Sequence, residues 1–188
     1  MLPKNIQEEN GFYVFTGGPG VGKTTTLLAL SRSGFEYVPE VAREIIREQM
    51  DNKGNALPWK NKKKYRDIML RRSIDSYRSA REREKTDILL FDRGIPDSLA
   101  YSRLENIPLS EALEDEIHKY RYNTTVFLFP AWEEIYRTDG ERKQDFEEAL
   151  RTYEIMADTY TKLNYKIVEL PKTNVEDRVK FILNHLNL

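Results

Sequence analysis

The sequence contains no cysteine, and this absence excludes disulfide bonds, thiolate metal sites and thiol nucleophiles. Long apolar runs are also missing, so no segment is long enough to cross a bilayer as a helix. The first ten residues are polar and lack the apolar core of a signal peptide. We therefore expect no zinc cofactor, no membrane span and a cytoplasmic location.

An excess of charge of one sign is missing as well. The chain has 30 Lys and Arg residues against 31 Asp and Glu residues, which gives a formal net charge of −1. No overall field therefore attracts nucleic acid or an anionic membrane, and we expect no nucleic-acid partner. A length of 188 residues suits one domain with its own core, and we expect a single domain over residues 1–188. Oligomeric state stays open, a homodimer included.

Short runs rich in β-branched and aromatic residues alternate with helix-like stretches. They occupy residues 12–16, 35–38, 87–92, 124–129 and 165–170. Such alternation is typical of α/β proteins with a parallel sheet. Residues 88–91 and 126–129 are continuously apolar, which indicates central strands covered by helices on both faces. The spacing of apolar residues predicts a helix from about residue 144 to 163, and Asn174 is the predicted cap of the last helix.

A glycine-rich motif follows the first predicted strand and precedes a helix-like stretch. It comprises Gly17, Gly18, Pro19, Gly20, Val21, Gly22, Lys23 and Thr24, with Thr25 next. Motif and flanks match a phosphate-binding loop, whose backbone N–H groups and helix N-terminus hold a di- or triphosphate. Lys23 is then predicted to reach the β- and γ-phosphates, and Thr24 to ligate Mg²⁺. A chance glycine-rich turn is the alternative, but eight matched positions favour binding of ATP or GTP.

Two charged residues end the third predicted strand. Asp92 follows its apolar run, where a carboxylate can hold Mg²⁺ directly or through water. A strand-ending turn or a helix cap is the alternative role for Asp92. Arg93 can direct its guanidinium at a phosphate or at an acceptor group. Gly94 permits a tight turn, and Pro96 suits the first turn of the next helix.

A second carboxylate is predicted at the same edge of the sheet. Glu40 ends the second strand, and Arg43 follows it by three residues. Glu40 can orient or deprotonate an acceptor hydroxyl, while Arg43 can neutralise an anionic substrate or pair with Glu40. An ordinary salt bridge in a first helical turn is the alternative. Trp59 and Tyr101 are candidates to stack on a substrate ring, or else packing residues.

Two segments are predicted to lie over the site. Residues 51–85 are predicted to form a charged, helical excursion on the substrate side. A solvated helix face is the alternative for its charges. Residues 131–143 contain Arg137 and Arg142 around a glycine and are predicted to form a lid. A basic flap of this kind excludes water and stabilises charge on a transferred phosphoryl group. A solvated loop is the alternative for the lid.

Four segments in order resemble a known family: GGPGVGKTTT, VPEVARE, LLFDRGIPD and YRTDGERK. They resemble the small P-loop domains of the AAA-domain, nucleotide kinase-like group. That group is similar to the ribosylnicotinamide kinase half of the bifunctional nicotinamide-nucleotide regulator, and more distantly to deoxynucleoside and thymidylate kinases. The resemblance covers nearly the whole chain and implies a three-layer P-loop NTPase fold with a five-stranded parallel sheet in the order 2-3-1-4-5.

The same resemblance implies roles for individual residues. It implies that residues 17–25 bind the triphosphate and that Asp92 and Arg93 form the acidic–Arg pair after the third strand. Glu40 would face the acceptor, and Arg137 and Arg142 would be the arginines of the lid. Residues 171–173 would lie beside the adenine.

The sequence therefore favours a Mg²⁺-dependent phosphotransferase that uses ATP and acts on a small molecule. The expected acceptor is a nucleoside, a nucleotide or a nicotinamide riboside-like compound. Lys23, Asp92, Glu40, Arg93, Arg137 and Arg142 are the predicted catalytic residues, and Glu40, Arg43, Arg93 and Tyr101 the predicted acceptor-binding ones. The sequence lacks the Asn-Lys-x-Asp guanine signature, which favours ATP without excluding GTP. A regulatory ATPase or GTPase that binds a protein or a phospholipid is the alternative.

Overall fold

The computed structural model describes residues 6–83, 87–135 and 146–188. Its centre is a five-stranded parallel sheet made of β2 (Phe12–Gly17), β3 (Glu36–Val38), β4 (Leu89–Asp92), β6 (Thr125–Phe129) and β7 (Lys166–Glu169). The strands lie in the order β3-β4-β2-β6-β7. Numbered by themselves in chain order, they give 2-3-1-4-5, so the predicted fold and strand order are confirmed.

Seven α-helices and a short 3-10 helix are seen in the described ranges. They are α1 (Lys23–Arg32), α2 (Val41–Asp51), α3 (Lys62–Glu82), α4 (Pro96–Leu104), α5 (Glu111–Lys119), α6 (Phe146–Lys162) and α7 (Val175–His185), with the 3-10 helix at Glu133–Ile135. Asn174 caps α7 as predicted, because its side chain accepts a hydrogen bond from the Asp177 N–H at 2.9 Å. No helix in these ranges is long and apolar enough to span a membrane.

Both faces of the sheet are covered, as the apolar strands predicted. Successive residues of a strand point to opposite faces, so Val14 and Val126 join one core, while Phe15 and Phe127 join the other. All four side chains are fully buried. Helices α1 and α7 pack together on the Phe15 face, and α3 contributes to the core on the Val14 face. The central strands are therefore held rigidly between two apolar layers.

The segment predicted as a charged excursion contributes to the core. One face of α3 is buried and includes Met69, Leu70, Ile74 and Tyr77. Arg66 on the same helix is fully buried and donates a hydrogen bond to the Ser102 hydroxyl at 2.7 Å. The solvated-face interpretation therefore holds only for the outer side of this helix.

A second, two-stranded parallel sheet was not predicted. It joins β1 (Gln7–Glu8) to β5 (Tyr120–Arg121), and the Tyr77 hydroxyl donates to the carbonyl oxygens of Gln7 and Arg121. This small sheet lies outside the central one.

The register of the central strands brings the predicted site residues to one edge. Phe15 pairs with Asp92, and Val38 pairs with Phe91, so β2, β3 and β4 end side by side. The loops that follow these strands carry the phosphate-binding motif, Glu40 and Arg93. In an open parallel sheet, ligands bind outside the carboxyl ends of the strands.

Candidate nucleotide and acceptor site

One continuous cavity of about 860 Å³ opens at the carboxyl edge of the sheet. The glycine-rich motif and the start of α7 line one end, and α2, α3 and α4 line the other. We call these the nucleotide end and the acceptor end. A cavity of this volume is in the range of small-molecule sites.

The backbone of the glycine-rich motif depends on glycine at particular positions. Gly20 and Gly22 have φ values of 74° and 88°, in the left-handed region that other residues rarely adopt. A side chain at Gly17 would approach the Phe129 carbonyl oxygen to 2.6 Å. Gly22 is the N-cap of α1 and has no side chain, so the first N–H groups of α1 gain no side-chain acceptor from it. Such a helix start attracts a phosphate.

Lys23 is buried and folds back onto the motif. Its Nζ donates to the carbonyl oxygens of Gly18 at 3.0 Å and Gly17 at 3.3 Å. Burial and the nearby Arg93 guanidinium lower the pKa of Lys23 to about 8. A bound polyphosphate would supply the negative charge that this ammonium group needs.

Asp92 and Thr24 lie together, as predicted. The Thr24 hydroxyl donates to Asp92 Oδ2 at 3.5 Å. Asp92 Oδ1 is buried and has no hydrogen-bond partner among the described residues, and burial raises the pKa of this carboxyl group. A divalent cation would compensate the buried charge, and hydroxyl and carboxylate oxygens are ligands that Mg²⁺ prefers. The two residues therefore fit a Mg²⁺ ion shared with phosphate oxygens.

Glu40, Arg43 and Arg93 form a connected group at the border of the two ends. Arg93 Nε donates to Glu40 Oε1 at 2.7 Å, and Arg43 Nε lies 3.5 Å from Glu40 Oε2. The predicted pair of Glu40 with Arg43 is thus present, and Arg93 is a second partner. Burial alone would raise the pKa of Glu40, but Arg93 and Lys23 outweigh it and hold that pKa below its usual range.

Asp97 completes this group, although the sequence alone did not indicate a role for it. It is 3% exposed, and its Oδ1 accepts hydrogen bonds from Arg93 Nη1 at 2.9 Å and from the Thr16 hydroxyl at 2.8 Å. Its Oδ2 accepts from the Gly94 N–H at 2.9 Å and from the Tyr160 hydroxyl at 2.5 Å. The only signal in the sequence is an acid four residues after Arg93, in the first turn of the helix that Pro96 opens.

Aromatic residues line the acceptor end. The rings of Tyr65 and Tyr101 meet edge to face with centroids 5.4 Å apart, and Trp59 is half exposed beside the cavity. The Tyr101 hydroxyl is buried without a hydrogen-bond partner among the described residues. Lys62 and Glu105 pair at 2.5 Å on the same lining. Both Trp59 and Tyr101 therefore line the cavity, where a ligand ring can reach them.

The nucleotide end has an arginine that sequence reasoning missed. Arg178 of α7 donates from Nη1 to the Val21 carbonyl oxygen at 2.9 Å and from Nε to the Pro171 carbonyl oxygen at 3.1 Å. Its guanidinium lies over the Trp132 ring, 4.9 Å from the centroid. Arg178 thus connects the glycine-rich motif to the segment predicted to pass beside adenine. A helical pattern alone gives no signal for such a long-range contact.

The predicted lid is described only to residue 135. Trp132 and Ile135 line the nucleotide end. Arg137 and Arg142 lie outside the described residues.

Fold and site together define a P-loop nucleotide-binding domain. Residues 12–178 match the family model for an AAA domain, and the chain belongs to that family. None of the curated proteins matches the sequence.

Solved structures with the same fold include several kinases. Deoxyadenosine kinase from M. mycoides with bound dATP is 16% identical, with a TM-score of 0.69, over 94% of this chain and 99% of that chain. NadR protein in complex with NR is 16% identical, with a TM-score of 0.69, over 95% of this chain and 51% of that chain. Thymidylate kinase from Ehrlichia chaffeensis is 14% identical, with a TM-score of 0.59, over 95% of this chain and 99% of that chain. At these identities the likeness establishes a kinase-like fold.

Proposed function

We propose that this protein is a Mg²⁺-dependent phosphotransferase that moves the γ-phosphoryl group of ATP to a hydroxyl of a small acceptor. The acceptor is a nucleoside, a nucleotide or a nicotinamide riboside-like compound. The observation that carries the proposal is one continuous cavity, lined by both a phosphate-binding loop and a carboxylate–arginine group. The same fold in a deoxyadenosine kinase and a thymidylate kinase gives further support.

The reaction forms a bond between the acceptor oxygen and the γ-phosphorus and breaks the bond from that phosphorus to the β,γ-bridging oxygen. Lys23 binds the phosphates and stabilises charge on the transferred group. Thr24 and Asp92 would hold the Mg²⁺ ion, which neutralises phosphate charge when bound. Arg137 and Arg142 are proposed to assist from the lid.

Glu40 is proposed to bind the acceptor hydroxyl and to take its proton. Because Arg93 and Lys23 lower the pKa of Glu40, its carboxylate is a weak base. The proton therefore moves late, when the oxygen–phosphorus bond is already forming. A loose phosphoryl-transfer transition state needs positioning more than early deprotonation. Arg43, Arg93 and Tyr101 are proposed to position the rest of the acceptor.

An assay of ADP release with Mg·ATP tests the proposal against nucleosides, nucleoside monophosphates and nicotinamide riboside. We expect at least one acceptor to stimulate release, and Lys23→Met to lower the stimulated rate about 100-fold or more. GTP in place of ATP tests the donor. An unchanged rate in folded Lys23→Met protein would contradict the assignment.

The alternative of a regulatory module that reads a protein or a phospholipid through residues 62–83 gains less support. Several charged side chains of that helix already form ion pairs within the chain. Lys62 pairs with Glu105, Arg66 with Asp67, and Arg72 with Glu48. A binding surface would need such charges to be available to the partner.

A further inference from the structure

We propose that the acceptor enters the site without a phosphate group, and that Asp97 sets this preference by neutralising Arg93. The inference rests on the proposed phosphotransferase function and narrows its acceptor to a hydroxyl compound with a flat ring, at the level of a nucleoside. The charges described next disfavour a nucleoside monophosphate.

The guanidinium groups beside Glu40 are already paired with carboxylates. Arg93, with 16% of its side chain exposed, donates to Glu40 at 2.7 Å and to Asp97 at 2.9 Å. Arg43 lies 3.5 Å from the other oxygen of Glu40. Two guanidinium groups therefore face two carboxylates. A phosphate dianion placed here would have to compete with both acids, and like charges in a partly buried site repel strongly.

Asp97 is fixed in its place beside Arg93. Four donors occupy its two oxygens: Arg93, Thr16, the Gly94 N–H and Tyr160. These donors come from β2, the turn after β4, and α6, and the carboxylate is 3% exposed. Rotation of Asp97 away from Arg93 would leave several buried donors unpaired. Arg93 is thus held between two carboxylates, which accept hydrogen bonds from its Nε and Nη1 atoms.

The nucleotide end has the opposite character. Lys23 Nζ donates to two carbonyl oxygens, and the start of α1 adds its partial positive charge. Positive charge from Lys23 and the start of α1 thus lies where the triphosphate is proposed to bind, beside the Asp92 carboxylate that is proposed to hold Mg²⁺. This difference in charge between the two ends favours binding of phosphate groups at the nucleotide end.

The rest of the acceptor end suits an uncharged or cationic ring. Trp59, Tyr65 and Tyr101 supply aromatic surface on which a flat ring can pack. Lys62 Nζ forms an ion pair with Glu105 Oε2 at 2.5 Å, so the charge of this lysine is also neutralised by a carboxylate.

Binding measured on matched pairs tests the inference separately from catalysis. Protein saturated with Mg·ADP, so that the nucleotide end is filled, is titrated with thymidine or dTMP, deoxyadenosine or dAMP, and nicotinamide riboside or its mononucleotide. We expect at least one ring compound to bind at least about tenfold more tightly than its monophosphate. Tighter binding of the monophosphates, or binding of neither member of any pair, would overturn the inference.

Turnover of the same pairs separates the two claims. Faster phosphorylation of monophosphates would contradict the inference and leave the phosphotransferase standing. Selective binding of the unphosphorylated ring compounds without any phosphoryl transfer would support the inference on acceptor charge and count against the proposed function.

Two variants test the part assigned to Asp97. Asp97→Asn keeps the shape but removes the charge, so we expect the ratio of monophosphate to nucleoside kcat/KM to rise about tenfold. Tyr160→Phe is the matched control, because it removes one hydrogen bond to Asp97 and keeps the carboxylate. It should lower rates for both compounds without moving their ratio. An unchanged ratio in folded Asp97→Asn protein, or an equal rise in Tyr160→Phe, would remove Asp97 as the residue that sets specificity.

Discussion

At the scale of single residues, Arg93 combines backbone strain with an unusual number of partners. Its φ is 76°, a left-handed value that costs a non-glycine residue about 1 kcal/mol or more. Its N–H donates to the Phe15 carbonyl oxygen at 2.9 Å, which holds the strained turn against β2. Retained strain of this kind is typical of functional sites. The turn directs the guanidinium between Glu40 and Asp97.

Arg93→Lys tests whether the fork of the guanidinium matters beyond its charge. A lysine cannot donate to Glu40 and Asp97 from two fixed nitrogens, so we expect kcat to fall about 10- to 100-fold with the fold retained. Steady-state kinetics and circular dichroism measure both. An unchanged kcat would show that Arg93 contributes charge alone.

The lowered pKa of Glu40 predicts how its contribution to folding stability changes with pH. Its pKa is lowered in the folded protein from an ordinary 4.5, so the stability it contributes is present above pH 4.5 and is lost as the pH falls through the lower folded pKa. Glu40→Gln should therefore cost about 1–3 kcal/mol at pH 7, and less as the pH falls below 4.5. Urea unfolding at pH 7 and pH 3.5 measures the difference. Glu44→Gln, exposed on the same helix, is the control and should cost little at either pH. A cost for Glu40→Gln that grows in acid would contradict the assignment.

At the scale of elements, α7 contributes to the nucleotide end through Arg178. We expect Arg178→Met to raise the KM for ATP about tenfold and to leave the KM for the acceptor unchanged. The substitution removes the hydrogen bonds to the carbonyl oxygens of Pro171 and Val21, and both lie at the nucleotide end. Lys180→Met, exposed on the same helix, is the matched control. Equal changes in both KM values would point to a general loss of structure.

Helix α3 distinguishes the enzyme from the regulatory module. Arg71→Glu with Arg72→Glu reverses two charges on the outer side, of which Arg72 pairs with Glu48. We expect turnover within about twofold of the wild-type rate and a stability loss of about 1 kcal/mol or less. A variant that loses all turnover while it stays folded would mean that this helix surface takes part in function.

The elements were predictable to different degrees. Continuous apolar runs revealed β4 and β6, and the motif with its flanks revealed the turn before α1, because these signals are local. The pair β1 and β5 has two residues in each strand and carries no periodic pattern. The role of Asp97 depends on Thr16, 81 residues earlier, and on Tyr160, 63 residues later, so no local spacing could indicate it.

At the scale of the whole molecule, the sheet order places three loops of one site together. Strands β3, β4 and β2 are neighbours, so Glu40, Arg93 and the glycine-rich motif converge although more than fifty residues separate Glu40 from Arg93. A nucleotide that binds only the folded state should stabilise the entire domain. We expect saturating Mg·ATP, at about 100 times its Kd, to raise the Tm by about 5–10 °C. Differential scanning fluorimetry measures the shift, and Lys23→Met should lose most of it. An equal shift in that variant would place the nucleotide elsewhere.

Phosphoryl transfer to an acceptor hydroxyl is tested by mass spectrometry of the acceptor after incubation with Mg·ATP. We expect an acceptor that gains one phosphoryl group as ADP appears, with both products lost in Lys23→Met. Release of ADP with inorganic phosphate as the sole other product, whatever acceptor is supplied, would contradict it.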